Sequence, residues 1–267
     1  MIQPLGMSHY DTVATSFDQY RALGDGAPIA IRAAVLGGMA LSSPRLLDLG
    51  AGTGRIGRAF VAGGDDYVGV DLSLGMLREF ARRAAENGQP AHLAQGDGER
   101  LPFRDATFDI VMLMQVIGAA RHWRVLIAEA RRVLRPVGVL VVGHAVTPDE
   151  GIDARMKQRL ASILRGIGVP SYHMDTRGVA QPWLESIAHT STRITVAEWS
   201  AERTPRQFLE RQPTGVRFSA LPEPVKEQVL RKLAAWASET FGSLDAKFSE
   251  RHSFELQVFK FPPGADS

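Results

Sequence analysis

The sequence predicts a doubly wound α/β sheet of seven strands, and three observations carry that prediction. From residue 44 onward, apolar runs of strand length alternate with segments of helical periodicity. The central runs are almost continuously apolar, as in strands covered on both faces, and the segments between them are long enough for crossover helices. At 267 residues, 45% hydrophobic and 22% charged, the chain can bury a core of that size.

The elements read in order as follows. Residues 8–41 form a helical region closed at Gly37-Gly38 and preceded by the aromatic-bearing stretch SHYDTVATSFDQYR. RLLDLG is the first strand, with a helix after it from about Arg55 to Ala62; DYVGVDL is the second, with a helix from about Leu74 to Glu86. AHLAQGD and FDIVMLMQV are the third and fourth strands, a helix runs from Trp123 to Leu134, and VLVVGHA is the fifth strand. There the alternation breaks. Ile152, Met156, Leu160, Ile163, Leu164 and Ile167 recur at helical spacing, and GVPSYHMDTRG follows as a loop. A helix near WLESIAHT, a strand near RITVAEW, helices around PRQFLERQ and PEPVKEQVLRKLAAWASETFG, and the alternating strand SFELQVFKF complete the chain. The expected organisation is one domain over 1–267. It has N-terminal lid helices at 1–43, a ligand-binding core at 44–146, a cap insertion at 147–182, and the remaining sheet with added helices at 183–267.

Composition removes several function classes. There is no cysteine, which excludes disulfides, thiolate-held iron–sulfur clusters, cysteine zinc sites and a cysteine nucleophile. Net charge is +2, and arginine clusters such as Arg82-Arg83 and Arg131, Arg132 and Arg135 fall where outward helix faces are expected. No basic stripe with interleaved aromatics stands out, so a nucleic-acid partner is not expected. The most apolar early run, AIRAAVLGGMAL, is too short and interrupted to span a bilayer, and no leader pattern opens the chain. A cytoplasmic protein without a membrane partner is expected; oligomeric state leaves no signal.

LLDLGAGTGRIG, at 46–57, is the informative stretch. Gly52, Gly54 and Gly57 fit the GxGxxG dinucleotide fingerprint, whereas Gly50, Gly52 and Gly54 give GxGxG. A dinucleotide loop places its first glycine at the strand end, to seat pyrophosphate on backbone N–H groups. Here the strand runs straight into Gly50, and a fingerprint starting at Gly52 leaves Gly50 unexplained. Asp71 ends the second strand 21 residues past Gly50, where a carboxylate takes ribose hydroxyls. Asp97 ends the third strand, in reach of an adenine amine, and Asp48 lies close to the loop. Three acids oppose a diphosphate and suit a ligand bearing a sulfonium and an ammonium, S-adenosylmethionine.

LLDLGAGTGRIG, VGVDLSLGML, AQGDGERLPFRDATFDIV and EARRVLRPVGVLVV together resemble the successive motifs of class I S-adenosylmethionine-dependent methyltransferases. The resemblance is strongest to the ubiquinone and menaquinone biosynthesis branch (methyltransferase domain type 11), and it covers roughly residues 10 to 146. It implies a Rossmann-like sheet with an N-terminal helical lid and helical insertions after strand 5 and between strands 6 and 7. It also implies that Asp48, Gly50, Ala51, Gly52 and Gly54 line the methionine part and ribose edge. Asp71 would hold the ribose, Leu72 and Met76 would flank the adenine, and Asp97 and Gly98 would read it. Met114 and Gln115 would offer a backbone carbonyl to the methionine ammonium, and Tyr20 and Arg21 would belong to the lid. Two positions depart from the family's pattern: Val137 in Pro136-Val137-Gly138, where a glycine is common, and Gly118, where a histidine often stands.

The remaining candidates concern the acceptor. The seven histidines form no HExxH or similar pair, so no metal site is expected. His144 ends the fifth strand on the ligand edge of the sheet and is the candidate general base. Tyr10 is a candidate to face the cofactor, and His122, Trp123, Tyr172, His173 and Trp183 to line an acceptor pocket expected to be enclosed and apolar. The expected activity is methyl transfer to a small-molecule acceptor. Two alternatives stand beside it: an NAD(P)-dependent oxidoreductase on the Gly52, Gly54, Gly57 register, and a non-catalytic S-adenosylmethionine-binding protein.

Overall fold

In the computed structural model the described residues are 9–12, 14, 17–37, 42–120, 122–169, 176–215, 218 and 221–262. One seven-stranded sheet carries the fold. Its strands are β1 (Arg45–Leu49), β2 (Asp66–Asp71), β3 (His92–Gln95), β4 (Phe108–Met114), β5 (Leu134–Val146), β6 (Thr190–Arg203) and β7 (Phe248–Lys260). They lie in the order β3-β2-β1-β4-β5-β7-β6. The pairs among β1 to β5 are parallel, and β7 runs antiparallel between β5 and β6. Between β1 and β4 the strand order reverses, which in open α/β sheets opens a ligand crevice at the carboxyl ends.

The alternation of side chains along the buried strands builds two cores. Leu47, Leu49, Val111, Leu113, Leu140 and Val142 face α4 (Trp123–Val133) and α6 (Arg177–Ile187), where Ile127, Ala130, Ala180 and Leu184 pack. The alternate positions Leu46, Ile110, Met112, Val139 and Val141 face α1 (Ala27–Gly37), α2 (Gly57–Ala62) and α3 (Leu74–Ala85), through Ile31, Phe60, Leu77 and Phe80. A third core is separate from the sheet. In it α5 (Ile152–Gly166) packs through Met156, Leu160 and Leu164 against Phe208 of α7 (Pro205–Arg211) and Val229 and Leu233 of α8 (Glu223–Phe241).

Several expectations are corrected here. α2 begins at Gly57 rather than Arg55, because Arg55 and Ile56 still belong to the turn out of the glycine loop. α6 is a sheet-covering helix and not cap, since its buried face is Ala180 and Leu184 in the sheet's own core. α5 packs instead with α7 and α8, which are distant from it in sequence. Val137 needs no glycine: it lies in extended β5 with ordinary backbone, 81% exposed, while Gly138 carries the close approach, with a Cβ there falling 2.7 Å from the Asp109 carbonyl.

The arginine clusters are largely taken up by ion pairs. Arg82 and Arg83 pair with Glu79, Arg132 with Glu129 and Asp105, and Arg135 with Asp109. Among the described residues, no helix is long and apolar enough to cross a membrane.

Candidate functional site

A crevice of about 520 Å³ opens where β1, β2, β3 and β4 end. The glycine loop forms its floor. Gly50, Gly52 and Gly54 have φ of +79°, +55° and +76°, the left-handed region that side chains rarely enter. Their surroundings differ. A Cβ on Gly50 would stand 2.5 Å from Val116, and one on Gly54 2.5 Å from Phe80, whereas one on Gly52 would meet only the Gly50 carbonyl at 3.9 Å. Of the three, Gly52 is thus the one with open space beside it, and it lines the crevice. Gly57 has ordinary φ, and its missing side chain leaves room for the Tyr67 ring and hydroxyl. In the loop, Gly54 and Gly57 serve packing, and Gly54 does not line the crevice as the resemblance implied.

The three acids converge as expected. Asp71 receives two backbone donors, Gly52 N–H on Oδ2 at 2.9 Å and Ser73 N–H on Oδ1 at 2.8 Å, and burial still pushes its carboxyl above the ordinary range. Asp97 accepts Glu99 N–H on Oδ1 at 2.9 Å. Asp48 is 2% exposed and shares its strand face with Leu46; Tyr67 donates its hydroxyl to Oδ2 at 2.8 Å. Burial raises Asp48 to about 7, against the Tyr67 hydrogen bond, and the nearby Asp71 charge adds to the rise. Its other oxygen, Oδ1, is buried without a hydrogen-bond partner among the described residues.

The N-terminal segment closes one wall. Asp11 accepts from Ser73 Oγ at 2.6 Å and Gly75 N–H at 2.7 Å, fastening the segment to the start of α3, where Ser73 is the N-cap. Asp18 accepts the Thr53 hydroxyl at 2.6 Å and pairs with Arg55 and Arg83. Tyr10, Phe17 and Arg21 thereby reach the crevice. Arg21 lies 4.2 Å above the Phe17 ring and donates to Thr214 Oγ1 at 2.7 Å, tying the segment to the turn that follows α7; burial lowers it to about 10. Tyr20 closes the short turn Phe17–Tyr20, and its side chain lies outside the described residues.

Arg21, Asp48, Gly50, Ala51, Gly52, Asp71, Leu72, Met76, Asp97, Gly98, Met114 and Gln115 all line the crevice. Sequence reasoning missed Phe17, Arg55, Val116 and Leu126. Phe17 lay in the quoted aromatic stretch; Arg55 and Val116 carry no signal beyond being basic or apolar after a strand end, and Leu126 none beyond being an apolar residue of α4. Gln115 adopts φ +62°, uncommon for a residue with a side chain, and its N–H bonds to Gly143 at 2.7 Å.

A second cavity, of about 400 Å³, adjoins the first and shares Gln115, Val116 and Ala119 with it. His144 lines it, with Nε2 3.9 Å from Glu255 Oε2, and so does Gly118. Leu113, Val142 and Leu160 give it apolar walls, and Lys157, Arg177 and Gln212 give it polar ones, so the expectation of an apolar pocket is corrected. Neither Trp123 nor Trp183 lines it, because their rings pack edge to face at 5.3 Å inside the core. His122 is exposed and bonds to Glu99 at 2.9 Å. Tyr172 and His173 lie outside the described residues.

This sheet order, with its glycine loop and acids at successive strand ends, defines a class I methyltransferase fold. Comparison with known proteins agrees: residues 47–142, which include Asp48, Asp71, Asp97 and Gln115, match the family described as Methyltransferase domain. The match to that domain thus takes in the glycine loop and the strand-end acids, and the rest of the chain lies outside it. The demethylmenaquinone methyltransferase of Parafrankia sp. (strain EAN1pec) is 38% identical over 151 residues, covering 50% of this chain and 59% of that protein. The chain therefore spans less than two thirds of that relative's length. Among solved structures, YcgJ of Bacillus subtilis superposes with a TM-score of 0.56 at 19% identity, over 87% of this chain and 98% of that one. The [4+2]-cyclase SpnF superposes with 0.54 at 17%, over 96% and 94%.

Proposed function

We propose that the protein is an S-adenosylmethionine-dependent methyltransferase acting on a small molecule. The observation that carries this reading is the set of three carboxylates around a glycine loop whose ligand-facing N–H, that of Gly52, is already given to Asp71. A diphosphate would find that donor spent and the surrounding charge opposed. A cationic ligand fits instead: Asp48 Oδ1 has no hydrogen-bond partner among the described residues, and the open side of Gly52 admits close approach. In this reading Asp71 holds the ribose hydroxyls, Asp97 the adenine amine, and Asp48 with the Gln115 backbone carbonyl the ammonium end.

The bound cofactor supplies a methyl group on a sulfonium, to be taken by a nucleophile in line with the departing sulfur. The protein's part is alignment and exclusion of water, so no catalytic side chain is strictly required. The second cavity supports an enzyme over a passive binder, since it puts room for an acceptor beside the crevice. For a hydroxyl or acidic-carbon acceptor, the His144 imidazole, whose Nε2 lies 3.9 Å from Glu255 Oε2, takes up the proton.

The demethylmenaquinone named for the Parafrankia protein is not carried over. His144, Lys157, Leu160, Arg177 and Gln212 all lie beyond the matched domain, which ends at residue 142. The cyclase with the same fold is a further reason to test the reaction itself. Titration calorimetry of the pure protein with S-adenosylhomocysteine and with NADH separates the readings: binding of the first alone is expected, and binding of NADH alone overturns the assignment.

A further inference from the structure

Resting on that reading, we infer that Tyr67 is a positioning residue for the cofactor: from inside the core, its hydroxyl holds the Asp48 carboxylate in place and in the charged form that receives the ammonium. Tyr67 does not line the crevice. It lies on β2, 1% exposed, with its ring against Phe60 of α2 and Phe80 of α3 at centroid distances of 5.9 and 6.0 Å. A phenylalanine would fill that place as well, so the hydroxyl is what packing does not explain. A phenol taken out of water into an apolar core needs a partner. This one donates to Asp48 Oδ2 at 2.8 Å.

The fold clears a path for that bond. In the register of β1 against β2, Tyr67 stands opposite Leu46 and Gly69 opposite Asp48, so the hydroxyl reaches its acceptor on a diagonal that passes Gly69. A Cβ on Gly69 would fall 3.3 Å from the Tyr67 ring, 3.0 Å from Ala51 Cβ and 2.8 Å from Leu93. Glycine weakens a strand interior, and here its missing side chain leaves the ring its course. Gly57, the first residue of α2, leaves room at the hydroxyl end. Two elements thus give up a side chain along one tyrosine.

The surroundings of Asp48 make this donor count. Burial opposes its charge, and so does Asp71 at the end of β2. The β4 residue in register with Asp48 is Met112, and α1, α2 and α3 bring Ile31, Phe60, Leu77 and Phe80 to this face, all without charge. Arg21 from the N-terminal segment and Arg55 from the glycine loop line the crevice, as do Asp97 and Glu99. Oδ1 has no hydrogen-bond partner among the described residues, so the support from Tyr67 comes through Oδ2 and leaves Oδ1 uncommitted. A hydrogen bond given to a carboxylate favours its ionised form. Tyr67 supplies it from the side that a ligand does not occupy.

The test compares the full chain with Tyr67→Phe, which removes one oxygen and keeps the ring. Near pH 6, S-adenosylhomocysteine affinity by calorimetry is expected to be about threefold or more lower in the variant. By roughly pH 9 the two should converge, because Asp48 is then charged with or without the bond. In an Asp48→Asn background, Tyr67→Phe should leave the pH profile of binding unchanged. Without any ligand, the Asp48 carboxyl carbon followed by NMR should titrate about one pH unit higher in Tyr67→Phe. Replacement of Tyr67 by 3-fluorotyrosine, a stronger donor of nearly the same shape, should move that titration down. No binding to the unaltered protein contradicts the cofactor reading, and the carboxyl titration still judges the role of Tyr67. Loss of affinity by the same factor at every pH, undiminished affinity at every pH, or a carboxyl titration that neither replacement moves overturns the inference.

Discussion

Gly52 and Asp71 are joined by a 2.9 Å hydrogen bond from the backbone N–H of the glycine loop to a carboxylate at the end of the next strand. The bond makes the loop and the acid one unit. It also turns a potential anion seat into a rim of negative charge. Asp71→Asn keeps the shape and removes the charge, and it should weaken S-adenosylhomocysteine binding by on the order of 1.5–3 kcal/mol. Calorimetry reads the loss directly, and unchanged affinity would mean the ribose is held elsewhere.

Asp48 predicts a pH dependence with a definite sign. Burial raises its carboxyl to about 7 in the folded protein, above the unfolded value, so the native state holds the extra proton between roughly pH 4 and 7. Its contribution to stability is present below that window and is lost as pH rises through about 7. Asp48→Asn should therefore raise the melting temperature of the ligand-free protein at pH 8, by a few degrees, with the gain shrinking toward pH 5. S-adenosylmethionine affinity should rise with pH through the same range in the wild type and stay flat in the variant.

The glycines separate two kinds of damage. Gly57→Ala would drive a Cβ into Tyr67 and Phe80 and should lower thermal stability by about 1–3 kcal/mol while leaving residual cofactor affinity near normal. Gly52→Ala faces open space on the ligand side and should cost affinity well beyond its effect on melting temperature. Equal ratios of the two effects in both variants would contradict the assigned roles.

Arg21 and Thr214 connect the N-terminal segment to the turn after α7 across 193 positions of sequence, at 2.7 Å. Thr214→Val removes the acceptor at nearly constant volume. Release of S-adenosylhomocysteine, followed by stopped-flow, should accelerate several-fold, corresponding to about 1 kcal/mol. An unaltered release rate would show that the contact does not hold the crevice closed.

The sheet and its crevice were legible in the sequence because their signals are local. Strand runs such as FDIVMLMQV announce burial on both faces, and acids at strand ends are fixed in place by the strands that precede them. Twelve of the fourteen residues expected at the cofactor reach the crevice. Gly54 escaped because letters in a loop do not say which glycine faces ligand and which faces Phe80. The second cavity was hardly legible. Lys157, Arg177 and Gln212 come to line one cavity through the packing of α5 against α7 and the Thr176 bond to Ile117, contacts between segments far apart in the chain. Trp123 and Trp183, the conspicuous aromatics, turned inward to each other instead.

The most direct measurement is a crystal structure of the protein with S-adenosylhomocysteine bound. The account predicts ribose hydroxyls on Asp71, the adenine amine on Asp97 and the amino group near Asp48, with the sulfur facing the cavity that His144 lines. A ligand found outside this crevice, or a crevice that instead takes up a dinucleotide with its pyrophosphate on the glycine loop, would contradict it.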